Sequence, residues 1–290
     1  MKVLVTGVKG QLGHDVVNEL LKRGHNPVGV DVEEMDITDG AAVDKFISEC
    51  MPDAVIHCAA WTAVDLAEDE DKKDKVYNVN AYGTENIAKV CKKLGCKMMY
   101  ISTDYVFNGQ GETPWKPDCK DYAPLNVYGD SKLKGELAVS GNLDKYFIVR
   151  IAWVFGLNGK NFIKTMLNVG RTHDKVRVVA DQIGTPTYTL DLARLLADMI
   201  ETDKYGYYHA TNEGGYISWY DFTKAIFEEA GINSEVVPVT TAEYGLSKAK
   251  RPFNSRLDKS KLKENGFVPL PDWRDALKRY LGELKENGAN

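Results

Sequence analysis

The sequence has little of what marks several large protein classes. It contains only five cysteines, an odd number with no Cys-x-x-Cys spacing, and five histidines with no pair at metal-ligand spacing. A disulfide framework, a zinc knuckle and a catalytic metal site are therefore not indicated, and reduced thiols in the cytoplasm are expected. No apolar run is long enough to span a bilayer, and the apolar start at residues 3–7 is too short for a signal peptide.

The sequence also has no excess of positive charge, since 42 Asp and Glu outnumber 37 Lys and Arg. The formal net charge of -5 argues against a nucleic-acid or anionic-membrane partner, although it leaves room for a local basic pocket that binds a phosphorylated small molecule. At 290 residues the chain exceeds what one small core usually holds. One large α/β unit with an appended lobe, or two domains, is therefore expected.

Short apolar runs rich in β-branched residues alternate with longer amphipathic segments through the first half of the chain. Strands are predicted over residues 2–6, 27–31, 54–58, 97–102 and 146–151, with helices between them. Continuously apolar strands that alternate with helices indicate a parallel sheet covered on both faces. Right-handed crossovers make this a Rossmann-like, doubly wound α/β fold, which binds its ligands at the carboxyl ends of the strands.

The second half of the chain is expected to form mainly a smaller substrate-binding lobe. The predicted division gives a dinucleotide-binding domain over 1–155 and this lobe over 156–290, with a polar tail at 286–290. A segment over about 176–202 is expected to return to the main sheet. The predicted helices of this half cover residues 161–170, 189–201, 218–230 and 272–285.

A glycine run directly after the first predicted strand indicates a dinucleotide-binding turn. Gly7, Gly10 and Gly13 form a Gly-x-x-Gly-x-x-Gly run that opens a helix. Glycine at these positions allows a tight turn, a close approach of the pyrophosphate and close packing of helix on sheet. The amides at the helix start then attract the phosphates, and Gln11 and Leu12 within the run are expected cofactor contacts.

The end of the second predicted strand favours NADH as the coenzyme, with NADPH as a second possibility. Asp31 ends this strand, where a carboxylate accepts hydrogen bonds from ribose hydroxyls and repels a 2′-phosphate. A cap on the following turn is the structural alternative for this residue. Asp36 and Ile37 are expected beside the adenine, and the small Ala59 and Ala60 where the cofactor backbone passes the third strand.

A tyrosine and a lysine four residues apart follow the fourth predicted strand. On a helix Tyr128 and Lys132 share a face, so the ammonium group favours the ionised phenol and makes the tyrosine a usable proton donor. The spacing alone is weak, because Tyr220 and Tyr244 also have a lysine four residues on. Only the first pair follows a strand that ends at the ligand edge of the predicted sheet.

Six segments form a set that is far more specific than any one of them. They read TGVKGQLG at 6–13, AAWTAVD at 59–65, STDYVF at 102–107, YGDSK at 128–132, RIAWVFG at 150–156 and DQIGTPT at 181–187. Together they resemble the extended short-chain dehydrogenase/reductases and, among these, the dTDP-4-dehydrorhamnose reductase family. The resemblance covers nearly the whole chain.

The resemblance implies a catalytic triad of Thr103, Tyr128 and Lys132. Thr103 closes the fourth strand, where its hydroxyl would hydrogen-bond a substrate carbonyl, and Tyr128 would protonate the oxygen as hydride reaches the carbon. The phenol has an ordinary pKa of about 10, which Lys132 and the positive charge of an oxidised nicotinamide would lower. Lys132 would also hold the nicotinamide ribose.

Substrate contacts also follow from the resemblance. Thr62, Val64, Asp104 and Trp153 would line the sugar, together with Thr103 and Tyr128, although an aromatic residue just past a strand also suits a core. Arg251 is a candidate for the diphosphate, because a guanidinium suits bidentate phosphate recognition; a basic surface loop is an equal alternative.

Three further residues complete the expected cofactor site. They are Thr62, Ser102 and Asn80. For Asn80, which lies in a long helical segment, hydrogen bonding within the core explains the residue equally well.

The expected activity is reduction of dTDP-4-dehydro-L-rhamnose to dTDP-L-rhamnose, a step in polysaccharide biosynthesis. Two alternatives stay open: a sugar-nucleotide epimerase with the same triad, and a non-catalytic, cofactor-binding regulatory subunit like the reductase-like partner of methionine adenosyltransferase. A dehydratase is disfavoured, since its usual Asp-Glu pair is here Asp104 followed by Tyr105. The family resemblance also suggests a homodimer.

Overall fold

A computed structural model describes residues 1–288, so the last two residues of the predicted polar tail lie outside the described residues. The strands are β1 (Lys2–Thr6), β2 (Asn26–Val30), β3 (Ala54–His57), β4 (Lys97–Thr103), β5 (Tyr146–Ile151), β6 (Val154–Phe155), β7 (Lys175–Val179), β8 (Ile183–Gly184), β9 (Thr187–Tyr188), β10 (Gly206–His209), β11 (Ile217–Ser218) and β12 (Glu235–Val239). The α-helices are α1 (Gln11–Lys22), α2 (Gly40–Cys50), α3 (Lys73–Tyr77), α4 (Thr84–Leu94), α5 (Val127–Asn142), α6 (Phe162–Thr172), α7 (Thr189–Ile200), α8 (Trp219–Ala230), α9 (Thr241–Tyr244), α10 (Ser260–Glu264) and α11 (Trp273–Glu286).

The main sheet has six parallel strands in the order β10-β5-β4-β3-β1-β2. This architecture confirms the predicted Rossmann-like, doubly wound fold. The strand order reverses at β1, which has β2 on one side and β3 on the other. Such a reversal opens a crevice at the carboxyl ends of the strands, where doubly wound folds bind their ligands.

Both faces of the main sheet are buried, which explains its continuously apolar strands. Along β1, Val3 and Val5 pack on the side of α1 and α7, whereas Leu4 packs on the side of α2 and α4. This alternation follows from the two-residue period of a strand. Full burial of each such side chain contributes roughly 1.5–3 kcal/mol relative to an exposed position. Two helical layers therefore hold the sheet rigid beneath the crevice.

The second half of the chain contributes to both the main sheet and a separate lobe. The strand β7 pairs with β12 in a two-stranded sheet outside the main sheet, while α7 packs against α1 on a face of the main sheet. β10, which the sequence did not predict, adds the edge strand beside β5. The segment 176–202, which was expected to return to the main sheet, is thus divided. Its helix α7 packs on the main sheet, whereas its strand β7 does not join it. The domain boundary after residue 155 stays a prediction.

The lobe has its own aromatic core. Phe155, Phe222, Trp273 and Tyr280 pack between α6, α8 and α11. The helices of this half, α6, α7, α8 and α11, lie close to their predicted positions. Across residues 1–288, no helix combines the length and the apolar character needed to cross a membrane.

Candidate active site

A cavity of about 1020 Å³ opens at the carboxyl ends of the main strands and extends to the aromatic lobe. Its wall contains every predicted site residue except Asn80. These residues are Gly7, Gly10, Gln11, Leu12, Gly13, Asp31, Asp36, Ile37, Ala59, Ala60, Thr62, Val64, Ser102, Thr103, Asp104, Tyr128, Lys132, Trp153 and Arg251. Residues that are far apart in the sequence are thus brought into one cleft.

The glycine turn is shaped for a group that approaches its backbone closely. Gly7 has a φ of 72°, and a Cβ atom there would lie 2.7 Å from the amide nitrogen of Ala59. A Cβ atom on Gly13 would collide with the carbonyl oxygen of Gly7. The helix α1 then starts at Gln11 with Gly10 as its N-cap and no side-chain cap. The first amides of α1 are therefore available to a phosphate, which fits a dinucleotide.

Asp31 lies one residue beyond β2 and is held by two backbone amides. Its carboxylate accepts from the amide of Lys9 at 3.1 Å and from that of Val32 at 2.9 Å. Lys9 was not predicted as a site residue, yet its ammonium group lies nearby and pairs with Glu33 at 2.7 Å. The end of β2 therefore contains both a carboxylate and an exposed cation, and the position of Lys9 inside the glycine run was the signal for it.

The loop after β3 and the turn at residues 36–38 form part of the cavity wall, and hydrogen bonds hold both in place. The amide of Ala59 donates to the hydroxyl of Thr6 at 3.1 Å, which fixes the loop after β3 against β1. Asp36 accepts from both the amide and the hydroxyl of Thr38 at 2.9 and 2.8 Å. This turn leaves Ile37 buried on the cavity wall, and its place beside an adenine stays a prediction.

The three residues of the expected triad meet at the end of β4. The Thr103 hydroxyl donates to a carboxylate oxygen of Asp104 at 3.0 Å and accepts from the amide of Tyr105 at 3.2 Å, and Tyr128 and Lys132 line the same cavity. Tyr128 is in the first turn of α5, with Lys132 one turn further on. The Tyr128 ring makes an edge contact with Tyr105 at 5.6 Å between centroids. Strand end and helix start therefore place a hydroxyl, a phenol and an ammonium group together.

Burial controls the charges of this group. The Lys132 ammonium donates to the carbonyl of Ile101 at 2.7 Å and lies 4.0 Å from the centre of the Tyr100 ring. Burial lowers the pKa of Lys132 to about 7, against the opposing pull of Glu136. Burial also raises the pKa of Tyr128, against the hydrogen bond from Thr103. In the protein itself, burial thus shifts the pKa of Tyr128 in the direction opposite to the lowering that we expected from Lys132.

Two buried polar atoms on the cavity wall lack partners among the described residues. They are the Ser102 hydroxyl oxygen and the Oδ2 atom of Asp104. Burial raises the pKa of Asp104 to about 6, although hydrogen bonds with Ser255 and Thr103 oppose this rise. Since a buried polar group without a partner is costly, these atoms suit a ligand that would satisfy them.

Asn80 ties two parts of the site together from behind the cavity wall. It lies in a π-helical stretch, Asn78–Gly83, between α3 and α4. Its side chain accepts from the amide of Trp61 at 2.8 Å and donates to the hydroxyl of Ser131 at 3.0 Å. These contacts agree with the alternative explanation for Asn80, which was hydrogen bonding within the core. Asn80 therefore positions the loop after β3 against α5.

Trp153 is both a wall residue and part of an aromatic stack. It has a φ of 52°, and its carbonyl accepts from the amide of Thr187 at 3.1 Å. Its indole stacks on Trp219 with 3.7 Å between centroids, and Trp219 also contacts Phe162 at 4.4 Å. Trp219 and Phe162 line the cavity and were not predicted, because tertiary packing alone brings them to Trp153. A left-handed tryptophan is a strained conformation of the kind that concentrates at functional sites.

Arg251 reaches the cavity wall already paired. Its guanidinium donates to both carboxylate oxygens of Asp65, at 3.1 and 2.6 Å. Asp65 belongs to the 59–65 motif but was not predicted as a site residue. Of the other tyrosine-lysine pairs, neither Tyr220 nor Tyr244 lies on the cavity wall. Position in the fold therefore separates Tyr128 from these two tyrosines.

The parallel sheet, the glycine turn and the strand-end threonine beside a Tyr-x-x-x-Lys helix define an extended short-chain dehydrogenase/reductase. The chain matches the RmlD substrate binding domain family over residues 1–286. It is 40% identical over 290 residues to a dTDP-4-dehydrorhamnose reductase from Aggregatibacter actinomycetemcomitans, covering 96% of this chain and 97% of that one. The chain belongs to the dTDP-4-dehydrorhamnose reductase family, which confirms the predicted resemblance and the prediction of an oxidoreductase.

Solved structures agree with this assignment. The dTDP-4-dehydrorhamnose reductase from Clostridium acetobutylicum is 42% identical with a TM-score of 0.94, covering 98% of this chain and 100% of that chain. The enzyme of the same name from Bacillus anthracis, solved in complex with NADP, is 41% identical with a TM-score of 0.92, covering 97% and 99%. The Bacillus anthracis structure shows that a relative of this fold binds NADP.

Proposed function

We propose that the protein reduces the 4-keto group of dTDP-4-dehydro-L-rhamnose and so forms dTDP-L-rhamnose, a sugar donor for polysaccharide. The observation that carries the proposal is one cavity that joins the glycine turn to Thr103, Tyr128 and Lys132. The relatives named dTDP-4-dehydrorhamnose reductase support the choice of substrate. The five free cysteines suit a reducing compartment, so we place the reaction in the cytoplasm. A homodimer stays a prediction.

The reaction needs one hydride and one proton. A bound reduced nicotinamide supplies the hydride, and the glycine turn, Asp31 and Ser102 are the residues that would hold it. Tyr128 donates its phenolic proton to the ketone oxygen, while Thr103 hydrogen-bonds the same oxygen and orients it. Because burial raises the pKa of Tyr128, its phenol is protonated before the reaction, as a donor must be. The phenolate left behind is stabilised by Lys132 in its charged form.

We propose a preference for NADH with some acceptance of NADPH. The Asp31 carboxylate is held at the end of β2, where it suits free ribose hydroxyls and repels a 2′-phosphate. Lys9 works in the opposite direction, since its exposed ammonium group could leave Glu33 to meet such a phosphate. The Bacillus anthracis structure in complex with NADP supports testing both coenzymes.

The substrate half of the cleft would recognise a sugar nucleotide by two kinds of contact. Trp153 offers a flat apolar surface for the sugar ring, with Val64 and Thr62 on the same wall. Asp104 offers a buried carboxylate oxygen without a partner among the described residues to a sugar hydroxyl. Arg251 would bind the diphosphate.

The test is the loss of reduced-nicotinamide absorbance with enzymatically prepared dTDP-4-dehydro-L-rhamnose, using NADH and NADPH in parallel. We expect rapid oxidation that falls by roughly 10²- to 10⁴-fold in Tyr128→Phe. Tyr220→Phe, which removes a hydroxyl with the same lysine spacing, should keep full activity. Absence of turnover with either coenzyme, despite measurable cofactor binding, would refute the reductase and bring forward the epimerase and the regulatory subunit.

A further inference from the structure

A short segment of the second half packs against the dinucleotide-binding half and ends on the cavity wall, and we name these residues, 245–251 between α9 and α10, the strap. The strap is bound to the dinucleotide-binding half at several points. The amide of Ala249 donates to Asp65 at 3.0 Å, and the carbonyl of Lys250 accepts from the side chain of Asn126 at 2.8 Å. Lys248 also pairs with Asp69. These contacts carry Arg251 to the cavity wall.

Arg251 and Asp65 form a fork-to-fork ion pair at this wall. The Arg251 side chain is only 23% exposed, whereas that of Asp65 is 45% exposed. A guanidinium binds a carboxylate and a phosphate through the same two parallel N–H groups. The carboxylate of Asp65 therefore occupies the donors that a diphosphate would use, and it cancels the charge that would attract one.

We propose that Asp65 is a built-in competitor for the substrate's diphosphate, which must take Arg251 from Asp65 in order to bind. This inference rests on the proposed sugar-nucleotide substrate. In the resting protein, Asp65 keeps the Arg251 guanidinium paired and aimed at the cleft. A ligand with a diphosphate offers two oxygens in exchange, whereas a nucleoside without phosphate offers none. The pair thus lowers the affinity for ligands that carry a diphosphate and leaves the affinity for a nucleoside unaffected.

The exchange predicts an unusual direction of effect. Because a part-exposed ion pair is weak, Arg251 is paired in most molecules but free in about a tenth to a third of them, so the competition lowers diphosphate affinity only modestly. Removal of the Asp65 carboxylate leaves Arg251 unpaired in every molecule, so the affinity for dTDP should rise about 3- to 10-fold. The affinity for deoxythymidine should not change.

The experiment is calorimetric titration of the full-length protein with dTDP and with deoxythymidine. Asp65→Asn should bind dTDP about 3- to 10-fold more tightly than the natural protein, with deoxythymidine unchanged. Asp69→Asn is the matched control, since it breaks the neighbouring strap pair with Lys248 away from the cavity wall, and it should leave dTDP affinity within about twofold. Arg251→Gln should weaken dTDP binding at least tenfold and abolish the effect of Asp65→Asn in the double variant.

Three results would overturn the inference: weaker dTDP binding in Asp65→Asn, an equal change in Asp69→Asn, or a gain that persists without Arg251. Asp65→Ser provides the same test if Asp65→Asn does not fold, because it also removes the carboxylate that pairs with Arg251. Failure of the proposed function looks different. If the substrate is not a dTDP-sugar, the natural protein would not bind dTDP at all, whichever residue stands at position 65, and if only the reduction is wrong, dTDP binding and the Asp65→Asn effect would persist without turnover.

Discussion

The Lys132 ammonium group donates a hydrogen bond to the carbonyl oxygen of Ile101 at a distance of 2.7 Å. Ile101 is two residues before Thr103 on β4, and Lys132 is one turn after Tyr128 on α5. This hydrogen bond therefore links the strand that orients a substrate carbonyl to the helix that would protonate it. It also holds the lysine in a buried place, where its charge is unfavourable.

The burial of Lys132 makes stability depend on pH. Its pKa falls from an ordinary 10.5 to about 7, so between these values the unfolded chain binds a proton that the folded protein does not. Stability from this group therefore rises with pH by roughly 1 kcal/mol per pH unit from pH 7 upwards. Lys132→Met should be more stable than the natural protein at pH 7, and this advantage should shrink by pH 9.

Urea unfolding at pH 7, 8 and 9 measures this effect. Lys134→Met is the control, since Lys134 is on the same helix with its side chain 52% exposed, and its stability difference should not change with pH. A difference between Lys132→Met and the natural protein that stays constant from pH 7 to 9 would show that Lys132 is not held neutral by burial.

The carboxylate of Asp31 is expected to set the coenzyme preference. Asp31→Asn removes the charge that repels a 2′-phosphate and leaves Lys9 beside it. The ratio of kcat/KM for NADPH to that for NADH should rise at least about tenfold, equivalent to about 1.4 kcal/mol. Addition of Lys9→Met should reverse part of this gain. A ratio that does not move in Asp31→Asn would refute the role of the carboxylate.

Local patterns predicted much of this site because its groups follow strand ends and helix starts. The glycine run, Thr103 and the Tyr128–Lys132 pair depend on spacing within one element, so their positions follow once the fold is known. The partner of Arg251 is different, since Asp65 lies 186 residues away in the sequence. Trp219 and the edge strand β10 were missed for the same reason: tertiary packing places them, and neither carries a periodic signal.

Gly184 is expected to leave room for the Trp153 indole. A Cβ atom at Gly184 would lie 3.0 Å from both the Trp153 ring and the Cβ atom of Ser255. Overpacking of this kind costs about 1–3 kcal/mol of folding stability and displaces the Trp153 ring, so Gly184→Ala should raise the KM for the sugar nucleotide. The KM for the coenzyme, measured in the same assay, should not change.

Gly282→Ala is the matched control for this substitution. A Cβ atom at Gly282, in α11, meets nothing within 4 Å, and alanine there should add about 0.5–1 kcal/mol to stability with unchanged kinetics. An unaltered KM for the sugar nucleotide in Gly184→Ala would show that the Trp153 ring does not contact the sugar.

A buried ion pair beneath the site is expected to be essential for stability. Arg150 and Glu136 are fully buried and 2.7 Å apart, and the Arg150 guanidinium also donates to the hydroxyl of Tyr122 at 3.0 Å. Arg150→Met leaves Glu136 buried without its partner, which should cost about 3–5 kcal/mol in urea unfolding. The double variant Arg150→Met/Glu136→Leu should recover most of this loss.

The exposed pair of Lys175 and Glu235, also 2.7 Å apart, is the control for the buried pair. Lys175→Met should change stability little, because water screens exposed charges. If the double variant at positions 150 and 136 proves no more stable than Arg150→Met alone, the unpaired charge of Glu136 is not the cause of the loss.

Transfer of a labelled hydride tests the proposed reaction most directly. The reaction would contain dTDP-4-dehydro-L-rhamnose and a reduced nicotinamide that carries deuterium at its transferable position, with the product followed by nuclear magnetic resonance. The proposed reduction predicts one deuterium at C4 of the product sugar for each coenzyme oxidised, at a rate that falls by roughly 10²- to 10⁴-fold in Tyr128→Phe. A product without deuterium at C4, or an epimerised sugar without net oxidation of the coenzyme, would contradict it.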